Sequence, residues 1–70
     1  MTLRTYLNKL AREAVRAESL RQSDARSFMD EAHGALKAHE IAVGRDRAEG
    51  MKQFFHRRLV HYRTNGQKDR

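Results

Sequence analysis

Four imidazoles are the first candidates for chemistry in this 70-residue chain: His33, His39, His56 and His61. A helix presents two metal ligands on one face when they stand three or four residues apart. His33 and His39 are six apart and His56 and His61 are five apart, so neither pair converges on an ion. Asp30 and His33 do have the spacing, but the pattern arises often without a metal. His39 falls inside an apolar stripe, where a histidine that hydrogen-bonds across to another helix is expected. Burial there without a partner would favour its neutral form. Ser19, Ser23 and Ser27 stand where turns and caps are expected. No glycine-rich phosphate loop, nucleophile elbow or paired acids appear. The residues read as non-catalytic, with no metal and no cofactor.

Cations with an aromatic among them are the stronger signal. Phe54 lies about 100° around its helix from Phe55. On that second face it is joined by Arg47, Arg57, Arg58 and His61. A ring among guanidinium groups can stack on a base or anchor a protein interface. The arginine fork suits phosphate or carboxylate. The plainer alternative is that Phe54 widens the core stripe and packs on the first helix, leaving the arginine heads in water. A second row, Lys9, Arg12 and Arg16, lies opposite an apolar face, and its plainer reading is a solvated side. Glu13 and Glu18 interrupt the charge that a membrane-lying or targeting helix would carry.

The elements that must carry these residues are helices. Proline is absent, and Ala, Leu, Arg, Glu and Lys are abundant. Leu3, Tyr6, Leu7, Leu10, Ala14 and Ala17 share one face of a first helix predicted over about 3–21, with Thr2 as its cap. Leu20 is expected to pack under the following turn. Ser23 or Asp24 opens a second helix over about 24–43, and Ser27 with Asp30 offers another capping pair. Its apolar face is Ala25, Phe28, Met29, Ala32, Leu36 and Val43, and Gly44 follows its end. Asp46 and Glu49 have capping-box spacing ahead of a third helix over about 47–64. Ala48, Met51, Phe55, Leu59 and Tyr62 form its stripe, and Asn65-Gly66 should end it. The expected fold is all-α: one three-helix domain over residues 1–66, with sequential helices antiparallel, and a frayed basic tail over 67–70.

Charge divides unevenly along this scheme. The net charge is +6, with residues 1–22 at +3, residues 23–44 at −2 and residues 45–70 at +5. An acidic middle helix between two basic ones can pair inward through Asp30, Glu31 or Glu40. Each exposed pair contributes only about 0–1 kcal/mol. The outer helices can instead present basic surface to an anionic partner. Ordering 70 residues costs on the order of 100 kcal/mol, which a core of this size offsets narrowly. A marginal monomer is expected, or a homodimer that completes its core between subunits. There is no cysteine, hence no disulfide framework. No bilayer-spanning run and no secretory signal is visible, so no membrane role and a cytoplasmic setting are expected.

Leu10-Ala11-Arg12-Glu13-Ala14, then Ala25-x-x-Phe28-Met29-x-x-Ala32, then Arg47-Ala48 with Phe54-Phe55 downstream, resembles the small AraC negative regulators of enteric bacteria. The resemblance covers residues 6–60. It implies binding to a transcription activator and loss of that activator's dimerisation. The chain departs from the pattern in having Leu20-Arg21-Gln22-Ser23 where a Gly-x-Tyr turn is expected, and in lacking Trp and Cys. No site residue is carried over from the family. A helix-turn-helix would place Arg45, Arg47, Glu49 and Gln53 at the start of a recognition helix, but the apolar and glycine positions fit that motif poorly. The reading that follows is a small regulatory binding module of bacterial or phage type. It contacts DNA or RNA through the basic faces of its first and third helices. The alternative is a regulator or inhibitor of another protein, anchored by Phe54 and its arginine neighbours.

Overall fold

The computed structural model of the protein describes residues 2–68, with side chains through Asn65. Three helices make up this part of the chain: α1 (Leu3–Ser19), α2 (Asp24–Val43) and α3 (Arg45–Lys68). They form an up-down-up bundle, so α1 and α3 run parallel with α2 antiparallel to both. At 24 residues, α3 is about 36 Å long and sets the long axis of a 40 × 21 × 19 Å molecule. Among the described residues no helix is long and apolar enough to cross a membrane.

Thr2 caps α1 as its sequence position suggests. Its hydroxyl accepts the Thr5 N–H at 3.1 Å, satisfying one of the donors that a helix start leaves open. At the other end α1 stops at Ser19, two residues short of the expected limit. The Gln22 N–H bonds back to the Ala17 carbonyl at 2.8 Å and the Arg21 N–H to the Glu18 carbonyl at 3.0 Å. These are the two bonds of a Schellman turn, and they put Arg21 in the left-handed region at φ 56°. Leu20 does not pack under this turn: it is 55% exposed.

Ser23 precedes α2 in helical geometry and makes no side-chain cap. Asp24 instead places its carboxylate in the first turn, where the helix dipole favours it. Gly44 then serves two helices. It ends α2 at φ 93°, with its N–H on the Glu40 carbonyl, and its own carbonyl accepts the first bond of α3, from Ala48 at 3.1 Å. The third helix therefore starts at Arg45. Asp46 and Glu49 lie within its opening turns rather than forming a box ahead of it. Nor does α3 end at Asn65-Gly66. It continues through Gln67 and Lys68, and residues 69 and 70 of the expected tail lie outside the described residues.

Leu7, Leu10, Ala11, Ala14, Val15 and Ala17 of α1, Ala32 and Leu36 of α2, and Ala48, Phe55 and Leu59 of α3 are buried. Leu7 is completely enclosed, a burial that contributes about 1.5–3 kcal/mol. Ala11 and Val15 fall outside the single stripe expected for α1. They are buried because α1 packs on both other helices, so its covered arc is wider than one face. Val43, expected in the core, is 37% exposed at the end of α2, and Ile41 is 77% exposed. No buried side-chain nitrogen or oxygen among the described residues lacks a hydrogen-bond partner.

Candidate nucleic-acid interface

The parallel packing of α1 and α3 puts Arg4, Arg12 and Arg16 of one helix beside Phe54, Tyr62 and Asn65 of the other, and no contact joins Lys9 or Arg47 to this group among the described residues. Phe54 is half-buried and packs against the core cluster. Over its ring lies the Arg4 guanidinium, 4.8 Å from the centroid. The ring is thus held between the bundle and an arginine, and Phe54 widens the core stripe as the plainer reading foresaw.

One turn further along, Asn8, Arg58 and Tyr62 form a closed triangle. Arg58 Nε donates to Asn8 Oδ1 at 2.8 Å, and Arg58 Nη2 donates to the Tyr62 hydroxyl at 3.0 Å. That hydroxyl in turn donates to Asn8 Oδ1 at 2.8 Å. The Arg58 carbon also lies 4.9 Å from the Tyr62 ring centre, a cation–π distance. Burial pushes the Tyr62 hydroxyl upward. Its hydrogen bonds with Arg58 and Asn8 and the charges of Arg58 and Arg12 outweigh this, leaving its pKa below the ordinary tyrosine value. Arg58 is therefore a structural tie that leaves part of its guanidinium on the surface.

Beyond the triangle, Arg12 and Arg16 border an open cleft of about 370 Å³ with Val15, Ser19, Tyr62 and Asn65. Lys9, Arg12 and Arg16 are exposed. His61 is exposed, stands edge-on to Tyr62 at 5.2 Å, and has the Asn65 amide nitrogen 3.0 Å from Nε2. Arg47 is exposed near the start of α3. Arg57 separates from this group. It borders a depression on the outer side of α3 with Gln53 and His56.

The carboxylates are spread over all three helices. Glu13 and Arg16 border one pocket at the start of α2 with Asp24 and Phe28, and Glu49 borders the depression that Arg57 lines. Glu18 pairs with Arg63 at 2.9 Å. Glu40 takes the Lys52 ammonium at 2.6 Å and Lys37 at 3.9 Å. The Lys52 hydrogen bond and charge, helped by Lys37 and Arg45, hold the Glu40 carboxyl below its usual pKa against a small opposing effect of burial. Glu31 accepts from the Tyr6 hydroxyl rather than from a cation. That hydrogen bond, then burial and the Glu31 charge, raise the tyrosine's pKa. None of Arg4, Lys9, Arg12, Arg16, Arg47 and Arg57 forms an ion pair with a described residue.

Among the described residues no group of three or more His, Asp or Glu is gathered as a metal would need. His39 is half-buried and makes no hydrogen bond among them. Arg4 and Asn8 were missed in the sequence because they flank the α1 stripe. Their roles exist only once the register of α1 against α3 is known. No family model matches the chain, and neither does any curated protein or solved structure.

Proposed function

We propose that the protein is a small non-catalytic regulatory module that contacts nucleic acid across the α1–α3 face. The observation that carries this reading is a row of α1 cations that no carboxylate pairs among the described residues. Arg4, Lys9, Arg12 and Arg16 of α1 lack a carboxylate partner among the described residues, whereas Lys37, Lys52 and Arg63 have one. Cations without internal partners are the ones that can exchange condensed counterions for phosphates. Tyr62 and the exposed part of Arg58 lie beside this row and offer a ring and a fork to whatever backbone they follow.

The protein-binding alternative relied on Phe54 as an anchor. It is the weaker reading, because that ring already has the core on one side and Arg4 on the other. Fluorescence anisotropy with duplex DNA and with single-stranded RNA, repeated over a salt series, tests the proposal. For each tenfold rise in salt, affinity for duplex DNA should fall by about 0.9 logarithmic units per phosphate neutralised. Arg12→Ala with Arg16→Ala should flatten that slope. No binding at low salt, or a slope indifferent to the double substitution, overturns the assignment. Capture from lysate that retains a protein partner after nuclease treatment would favour the alternative.

A further inference from the structure

The side of the bundle where α2 meets α3 carries a different kind of site. An open slot of about 540 Å³ runs between the two helices, within the size range of small-molecule sites. Its floor is apolar: Met29 and Leu36 from α2, Phe55 and Leu59 from α3. Its rim is cationic, with Lys37 on one helix and Lys52 and Arg63 on the other, and the imidazoles of His33 and His56 facing in from both. His33 stands edge-on to Phe55, with ring centres 6.4 Å apart.

Among the described residues one carboxylate, Glu40, borders the slot, and Arg63 at its edge is already paired with Glu18 at 2.9 Å. Glu40 is shared between Lys52 at 2.6 Å and Lys37 at 3.9 Å. Lys37 is the looser of the two, with its side chain 72% exposed. Lys37 and Lys52 thus share a single carboxylate, which leaves the equivalent of one ammonium charge directly above a hydrocarbon floor. Met29 is half-buried and Leu36, Phe55 and Leu59 expose only their edges, so the apolar strip is narrow and takes a chain or ring rather than the broad face of a partner helix.

We infer that the α2–α3 slot binds a small carboxylate with an apolar body, of the medium-chain acyl or aryl class. The body lies on Met29, Leu36, Phe55 and Leu59, and the carboxylate faces the Lys37 and Lys52 ammoniums. This is independent of the nucleic-acid reading, because the slot shares no residue with the α1–α3 face.

The test is a titration of the full chain with sodium octanoate, and separately with 1-octanol, followed by amide chemical shifts. Octanoate should give saturable shifts confined to the amides around Met29, Leu36, Lys37, Phe55 and Leu59, and octanol should bind more weakly. Lys37→Gln, which removes one exposed charge, should weaken octanoate by about two- to fivefold, the fold-change of one exposed charge pair. Arg12→Ala with Arg16→Ala should leave the octanoate response unchanged. Shifts that do not saturate, shifts that spread over α1, or equal binding of octanol and octanoate would each overturn the assignment.

Discussion

Asn8 and Arg58, fifty residues apart in sequence, are joined side chain to side chain by a 2.8 Å hydrogen bond that ties α1 to α3. Tyr62 closes the group, so each polar atom that the packing removes from water finds a partner within it. Hydrogen bonds to a charged group are stronger than neutral ones, and leaving one member unsatisfied costs more than the bond contributes. Asn8→Ala should therefore destabilise the bundle by about 1–2 kcal/mol. Tyr62→Phe, which keeps the ring under Arg58, should cost less. Urea unfolding followed by helical circular dichroism would check both. Equal stability of Asn8→Ala and the parent would show that the triangle adds nothing.

Three glycines should respond in opposite directions to alanine. Gly34 and Gly50 lie within helices, and a methyl group added at either meets no atom within 4 Å. Gly34→Ala and Gly50→Ala should each raise stability by about 1 kcal/mol through helix propensity and a less disordered unfolded chain. Gly44 sits at φ 93°, where an L side chain is strained. Gly44→Ala should lower stability by about 1–3 kcal/mol. Thermal midpoints of the three variants give the comparison directly.

Arg21 occupies the left-handed position of the turn after α1. A non-glycine residue there costs roughly 1–2 kcal/mol, part of which glycine would return as extra freedom in the unfolded chain. Arg21→Gly should stabilise by about 0.5–1 kcal/mol, a rise of several degrees in midpoint for a domain this small. A lower midpoint would mean that the arginine side chain contributes more than the backbone strain removes.

Glu40 links α2 to α3, and its carboxyl is held below the usual range by Lys52 first and Lys37 and Arg45 after it. A group with a depressed pKa in the folded state stabilises that state above the ordinary carboxylate value. The contribution disappears as pH falls through the lowered one. Acid should therefore loosen the α2–α3 side, and Glu40→Gln should remove that part of the pH dependence while lowering stability near neutrality. Circular dichroism of parent and variant between about pH 6 and pH 2 would show it. Parallel curves for the two proteins would exclude the link.

Much of the bundle could be read in advance because apolar spacing states which side of each helix is covered. Leu7, Leu36, Phe55 and Leu59 were all in the expected stripes. Spacing alone could not say that α1 would be covered on two sides, so Ala11 and Val15 escaped. Helix ends were harder. The Schellman turn forms around an arginine rather than a glycine, and α3 runs on through Asn65-Gly66, a signal that normally stops a helix. The Phe54 cluster was legible as a composition but not as an arrangement. Arg58 turned toward Asn8 and Tyr62, and Arg57 turned outward. Both outcomes depend on which helix lies beside α3, which local sequence does not specify.

The single residue joining α2 to α3 leaves that corner of the molecule without slack. Gly44 gives its amide to one helix and its carbonyl to the next, so an amino acid inserted there has nowhere to bulge. Continued helically, it would swing everything downstream by about 100° and carry Phe55 and Leu59 out of register. The Leu20–Ser23 connection has room to absorb the same insertion. Spectroscopic tags and fused sequences belong at that end of the bundle, because the opposite hinge behaves as a fixed elbow whose angle the rest of the chain inherits.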